Sequence, residues 1–99
     1  MLILQLKWTD KALQQFEEAI VYIAEENPIG VQRVAQSVAD ATELLLFTPS
    51  IGHVGRIVNT QEWVVRKTPY IIAYAIDGEE LWVLRLIASK QDPARLLEH

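Results

Sequence analysis

The sequence of 99 residues contains no cysteine. A disulfide framework and a zinc–thiolate site are therefore excluded, and the cytosol is the natural compartment for such a chain. No segment approaches the roughly 20 apolar residues that a membrane span needs. Residues 1–5 also lack the basic region and cleavage site of a signal peptide. We therefore expect a cytoplasmic protein with no membrane partner.

Positive charge is scarce, and the formal net charge is −4. Residues 1–55 carry three basic and seven acidic side chains, whereas residues 56–96 carry six basic and five acidic side chains. Phosphate contacts need a concentrated positive field, so the chain as a whole is not a non-specific nucleic-acid binder. A local basic patch in the C-terminal half remains compatible with these numbers.

The length fits one domain, which we expect to span residues 1–96. Residues 97–99 resemble the start of a histidine tag and are left out of functional reasoning. The apolar share of 51% is enough for a core. A domain of this size buries only a modest fraction of its surface, so a partner is expected to cover part of the remainder.

Hydrophobic periodicity predicts one strand and two helices in the first half. Residues 2–8 alternate between apolar and polar, which is typical of a strand. Thr9 and Asp10 then offer a helix N-cap, and residues 11–26 carry an apolar stripe at helical spacing. Asn27 is predicted to cap a second helix with Pro28 in its first position. Because Thr48 precedes a proline, that helix ends there, and the two helices form a hairpin.

Residues 49–60 are predicted to form a loop, and three strands follow it. The strands are expected at residues 62–67, 70–76 and 81–88, with a tight turn at Asp77-Gly78 between the last two. The element order is therefore β-α-α-β-β-β. The predicted fold class is α+β, with the helical hairpin packed on one face of an antiparallel sheet and the other face partly open.

Basic and aromatic residues are interleaved in the C-terminal half. An open sheet of this kind suits RNA, because guanidinium groups hold phosphate and rings stack on unpaired bases. Strand edges also carry Lys and Arg simply to discourage aggregation, and composition alone favours that simpler explanation. The residues concerned are Arg56, Arg66, Lys67, Arg85, Lys90 and Arg95, with Trp63, Tyr70, Tyr74 and Trp82.

Arg85 interrupts an apolar strand, and its neighbours at a period of two are Val83 and Ile87. A charge at such a position is costly unless it is paired or faces a water-filled cleft. Arg85 is therefore either a site residue or one half of a structural ion pair with Glu62 or Asp92. The sequence leaves both alternatives open.

Two further side chains have a chemical and a structural interpretation. Glu62 is suited to act as a general base towards a ribose 2′-OH, although a salt bridge on the strand is favoured. Tyr70 is suited to donate a proton or stack on a base, although a half-buried strand tyrosine is commoner. His53 is a lone histidine with no ligand cluster around it, so we predict no metal site and no cofactor.

Several short motifs follow one another along the chain, and together they resemble the RelE/ParE superfamily of type II toxin–antitoxin toxins, often called plasmid stabilisation proteins. The motifs are Trp8-Thr9-x-x-Ala12, Tyr22-Ile23-Ala24-x-x-Asn27-Pro28, Gly52-His53-Val54-Gly55-Arg56, Asn59-Thr60-Gln61-Glu62-Trp63-Val64-Val65, Thr68-Pro69-Tyr70-Ile71-Ile72-Ala73-Tyr74, Leu84-Arg85-Leu86-Ile87 and Gln91-Asp92-Pro93-Ala94-Arg95-Leu96.

The resemblance implies a growth-inhibiting toxin whose partner is a cognate antitoxin, in a homodimer or a hetero-oligomer. RelE-like members cleave mRNA on the ribosome, whereas ParE-like members poison DNA gyrase. The position three residues after Arg85, where many relatives have a histidine, is Ala88 here. The segment from Tyr70 to Tyr74 also lacks the basic residue of RelE-like members. The Thr68-Pro69-Tyr70 motif and the missing histidine favour gyrase inhibition slightly. The departures also leave open a degenerate toxin that only binds its antitoxin.

The nuclease alternative assigns roles to six residues. In that case Arg56, Arg66 and Arg85 would hold the scissile phosphate, Glu62 or Lys90 would assist attack by the 2′-OH, and Tyr70 would stack or donate a proton. In a gyrase inhibitor the same surface would bind protein, and no proton-transfer pair is needed.

Overall fold

The computed structural model describes residues 3–89. The predicted tag remnant and Lys90 lie outside these residues. The helices are α1 (Asp10–Glu26) and α2 (Gly30–Phe47), and a single 3-10 turn covers Pro49–Ile51. The strands are β1 (Gln5–Trp8), β2 (His53–Val54), β3 (Gln61–Val64), β4 (Tyr70–Asp77) and β5 (Glu80–Ala88). No helix in this part of the chain is long and apolar enough to cross a membrane.

The five strands form one mixed sheet in the order β1-β5-β4-β3-β2. β1 pairs with β5 in parallel, and the other neighbours pair antiparallel. The predicted α+β fold and β-α-α-β-β-β order are confirmed. Three details of the sheet differ from the prediction. β1 makes the sheet mixed, and the segment predicted as a loop at 49–60 contains the 3-10 turn and β2. The strand predicted at 62–67 ends at Val64, because Arg66 and Lys67 form the turn to β4.

Thr9 links the end of β1 to the start of α1. Its hydroxyl accepts a hydrogen bond from the Ala12 backbone N–H at 3.0 Å, which confirms the predicted N-cap. The same hydroxyl lies 3.1 Å from the Leu84 carbonyl, to which it donates. The Thr9 backbone N–H reaches the Val83 carbonyl at 3.1 Å. The cap therefore fixes the start of α1 against β5.

The connection between the helices differs from the prediction. The predicted capping role of Asn27 and the helical position of Pro28 are wrong, because α2 begins at Gly30 and Ile29 precedes it without a side-chain cap. Asn27 has an extended backbone (φ −157°), and its carbonyl accepts from the Gly30 N–H at 2.9 Å. Residues 27–30 therefore form a turn that spaces the two helices.

The core lies between the helices and one face of the sheet. Alternate residues of β4 point into it, namely Tyr70, Ile72 and Tyr74, and they meet Leu45 and Ala12 of the helices. Ile71 and Ala73 point to the opposite face by the alternation of the strand. Both side chains are nevertheless buried, at 1% and 4% exposed. We use the term open face for this side of the sheet because it faces away from the two helices.

A β-bulge in β5 changes which residues share a face. Tyr74 pairs with Val83, whereas the preceding Ala73 pairs with Arg85, so Leu84 is an extra residue in β5. Val83 belongs to the core, and Arg85 lies on the open face with Ala73. The prediction that Arg85 shares a face with Val83 is therefore wrong, because a bulge interrupts the period of two and redirects the next side chain.

Candidate functional site on the open face of the sheet

The ladder of the sheet aligns three of the residues that matter for function. Glu62 of β3 lies opposite Ala73 of β4, which lies opposite Arg85 of β5. Neighbouring strands are about 4.8 Å apart, so the backbones of Glu62 and Arg85 are separated by about 10 Å on the open face. Ala73 between them is only 4% exposed.

Glu62 is held by Arg56. The Arg56 side chain donates from Nε to Oε2 at 2.9 Å and from Nη2 to Oε1 at 3.1 Å. The Arg56 backbone N–H donates to the same Oε2 at 3.0 Å. Only 14% of the Glu62 side chain is exposed, against 46% for Arg56. This bidentate geometry is the strong form of an Arg–carboxylate pair. The favoured interpretation of Glu62 as a salt-bridge residue therefore has a specific partner.

Arg85 is exposed on the open face. Its Nη1 donates to the carbonyl of the neighbouring Leu84 at 3.2 Å. Among residues 3–89 it makes no ion pair, and Glu62 is bound to Arg56 instead. The other suggested partner, Asp92, lies outside the described residues. The charge in this apolar strand is tolerated because the bulge directs it to water, which removes the cost of burying it.

Tyr70 lies on the other side of the sheet. It is 7% exposed and belongs to the core between the sheet and α1. Burial raises the pKa of the Tyr70 hydroxyl, and the nearby Tyr22 raises it further. The sheet therefore separates Tyr70 from Arg85 and Glu62. Ala88, the position of the missing histidine, lines a cleft on this same side with Tyr70.

Arg66 lies apart from both groups. It is exposed in the turn between β3 and β4, next to Lys67, whose φ is 62°. Both side chains line a depression beside Asp40 of α2. The structure therefore brings Arg56, Glu62 and Arg85 together on the open face and places Arg66 and Tyr70 elsewhere.

His53 is opposite Glu62 in the pairing of β2 with β3. Its ring stacks on Trp63, with centroids 6.5 Å apart and planes 23° apart. Trp63 itself packs against the helix-side core. Within residues 3–89 the open face thus offers an exposed guanidinium beside an arginine–carboxylate pair, which suits binding to an anionic group.

Sequence reasoning missed the role of Tyr74. Its hydroxyl donates to the Pro49 carbonyl at 2.7 Å and accepts from the Gly52 N–H at 3.0 Å. Burial raises the pKa of this hydroxyl, and the hydrogen bond from Gly52 opposes part of that shift. Tyr74 therefore anchors the segment that leads to Arg56. A tyrosine in the middle of an apolar strand was the available signal, because a buried hydroxyl needs a partner.

Gln15 was also missed, because its contact with β5 forms only in the folded structure. β1 ends at Trp8, opposite Val83, so the following part of β5 has no strand on that side. The side-chain Oε1 of Gln15 accepts a hydrogen bond from the Leu86 backbone N–H at 2.9 Å. A side chain of α1 thus covers this edge of β5. No local sequence pattern predicts such a contact.

Comparison with known proteins identifies the family to which this chain belongs. The family match and the structural match together support a toxin of the RelE/ParE superfamily. A family model described as the ParE toxin of the type II toxin–antitoxin system parDE matches residues 6–93. The chain belongs to this ParE toxin family.

A solved structure supports the fold. A chain of the chromosomal ParDE toxin–antitoxin system from P. aeruginosa superposes with a TM-score of 0.78. The match has 16% sequence identity and covers 89% of this chain and 98% of that chain. No curated protein matches the sequence.

Proposed function

We propose that this toxin inhibits growth by binding DNA gyrase and that a cognate antitoxin neutralises it by direct binding. The toxin would act in the cytoplasm, where gyrase works. The surface that contacts gyrase would be the open face, with Arg85 at its centre and the Arg56–Glu62 pair beside it. The ParE family match supports this choice.

The observation that carries the proposal is the state of Glu62. Both carboxylate oxygens accept hydrogen bonds from Arg56. A carboxylate held in this way is a poor general base, because proton uptake would break a bidentate ion pair. Tyr70 cannot serve as its acid partner from the opposite side of the sheet. Binding of a protein partner needs no proton transfer and is compatible with this arrangement.

A ribosome-dependent endoribonuclease is the second candidate. Exposed Arg85, with Arg56 nearby, has the chemistry to hold an RNA phosphate. In that case Arg66 would help to hold the phosphate from the β3–β4 turn, and Glu62 or Lys90 would assist attack by the 2′-OH. A degenerate toxin that binds only its antitoxin is the third alternative.

Two assays on the purified protein distinguish these alternatives. We expect inhibition of gyrase supercoiling and no ribosome-dependent cleavage of mRNA. Arg85→Ala should weaken gyrase inhibition at least about tenfold, since a central arginine of an interface contributes over 1.4 kcal/mol. Arg33→Ala, which removes an exposed arginine of α2, is the matched control and should retain inhibition.

Two other sets of assay results would contradict the gyrase proposal. Cleavage of mRNA that is lost in Arg85→Ala, with unchanged supercoiling, would replace the gyrase proposal by the nuclease. Inactivity of the wild-type protein in both assays, with antitoxin binding retained, would support the degenerate toxin.

A further inference from the structure

The negative charge of the protein is concentrated on α1. This helix carries Asp10, Glu17, Glu18, Glu25 and Glu26, and its one basic residue is Lys11. The whole chain has a net charge of only −4. The eight acidic and eight basic side chains outside α1 cancel, so α1 accounts for the whole net charge and sets the sign of the electrostatic field around the protein.

The same helix exposes apolar side chains among its carboxylates. Val21 is 59% exposed and Tyr22 is 53% exposed. They line a shallow depression together with Gln14, Glu17, Glu18 and Glu25. An exposed valine and tyrosine side by side on a helix indicate a contact surface more than a solvated one.

A cleft continues this surface towards the sheet. It has a volume of about 460 Å³ and lies between Ala19 of α1 and the ends of β4 and β5 at Tyr70, Leu86 and Ala88. Glu18 and Tyr22 line both the depression and the cleft. We call the two together the acidic groove. No lysine or arginine of residues 3–89 lines either part of it.

We propose that the acidic groove binds a basic amphipathic segment of the antitoxin, an inference that rests on the proposed function. An apolar side chain of the segment would enter the cleft against Ala19 and Leu86. Its lysines or arginines would lie along Glu17, Glu18 and Glu25, and the ring of Tyr22 would add a cation–π contact.

Charge decides between this occupant and a second copy of the chain. Two copies that met through α1 would bring their acidic helices together, and juxtaposed like charges at an interface cost several kcal/mol. A basic partner instead gains from the field of α1, both in its rate of association and in its orientation.

Calorimetric titration of the toxin with the antitoxin of its own module tests the proposal. Glu17→Gln combined with Glu25→Gln should weaken binding about tenfold and reduce its salt dependence, because two rim charges are removed. The matched control, Glu43→Gln combined with Glu79→Gln, removes the same charge from exposed sites on α2 and the β4–β5 turn. It should change the Kd less than about threefold.

A variant that leaves the charge unchanged tests the apolar contact of the acidic groove with the antitoxin. Val21→Ser, at an exposed position where folding is not at risk, should also weaken binding while leaving its salt dependence unchanged. Circular dichroism checks that each variant is folded.

The outcomes separate the inference from the proposed function. Tight antitoxin binding that is unaffected by both groove variants would overturn the inference and leave neutralisation intact. An equal loss in the groove and control pairs would also overturn it, since only net charge would then matter. Failure of the wild-type toxin to bind the antitoxin would overturn both, and self-association that requires Val21 would identify a second copy as the occupant.

Discussion

The hydroxyl of Tyr74 joins the core to the segment that precedes the open-face arginine–carboxylate pair. We expect Tyr74→Phe to lower the free energy of unfolding by about 1 kcal/mol, because the Pro49 carbonyl and the Gly52 N–H lose their partner at a partly buried site. Urea denaturation measures this change.

The control for Tyr74→Phe is Tyr70→Phe. Both rings are buried in the same core, but the Tyr70 hydroxyl makes no hydrogen bond among the described residues. Equal losses of stability in the two variants would show that the hydrogen bonds of Tyr74 are not the cause.

The buried tyrosines also predict a pH dependence. The pKa values of Tyr70 and Tyr74 are raised above 10 in the folded protein. Above about pH 10 the unfolded chain releases these protons while the folded protein keeps them. The free energy of unfolding should therefore be unaffected by these groups below about pH 10 and should fall as the pH rises further.

Urea denaturation at a series of pH values between about 8.5 and 11 checks this dependence. Tyr70→Phe should make the decline shallower, because one of the two groups is then absent. A decline of the same slope in both proteins would assign the effect to lysines, which titrate in the same range.

For Arg85, the sequence predicted an unusual residue but not the face of the sheet on which it lies. Its charge within an apolar strand correctly identified it as unusual, and the expectation that it needs water or a partner was sound. Its face was predicted wrongly, because the extra residue Leu84 shifts the alternation. A bulge depends on pairing with another strand, so the pattern of β5 alone cannot reveal it.

Among the elements, the segment with the 3-10 turn and β2 depends on a close contact at Gly52. A Cβ at this position would overlap the Tyr74 hydroxyl and lie 2.8 Å from its Cε1. Because the ring is buried and cannot move away freely, we expect Gly52→Ala to destabilise the protein by about 1–3 kcal/mol. Thermal unfolding followed by circular dichroism measures the change.

Gly30→Ala is the matched substitution in a helix. Its Cβ would be 3.2 Å from the Asn27 side chain, which is exposed and free to adjust. Alanine also favours the helix by up to about 1 kcal/mol. We expect a neutral or slightly stabilising effect, and a loss as large as that of Gly52→Ala would contradict the role given to the Tyr74 contact.

The two helices were predicted well because each carries an apolar stripe at helical spacing, and β4 and β5 because each is an apolar run bounded by turn residues. β2 was missed since two residues cannot display a period, and its partner β3 defines it. The start of α2 was misplaced because Asn27 and Pro28 suit a turn as well as a cap. For the candidate site, sequence placed Glu62 and Arg85 in strands and Arg56 in the preceding loop, as the structure does. The ion pair of Arg56 with Glu62 arises from packing and was not predicted.

For the whole molecule, the isolated toxin should be less stable than its antitoxin complex. A ligand that binds only the folded state at a hundred times its Kd adds about 2.7 kcal/mol. For a domain of this size that corresponds to an increase in Tm on the order of 10 °C. Differential scanning fluorimetry with and without antitoxin measures the shift, and bovine serum albumin serves as a protein control. An unchanged Tm would contradict direct neutralisation.

The parallel pairing of β1 with β5 has a consequence for the order of events during synthesis. Their contacts join residues 75 positions apart, as Thr9 and Leu84 show. A ribosome that adds about 5–20 residues per second produces β5 roughly 4–15 s after β1. During that interval the apolar side chains of Leu6 and Trp8 have no partner strand. The sheet therefore cannot close at β1 until β5 has been synthesised, which gives chaperones a defined period in which to bind the exposed apolar strand.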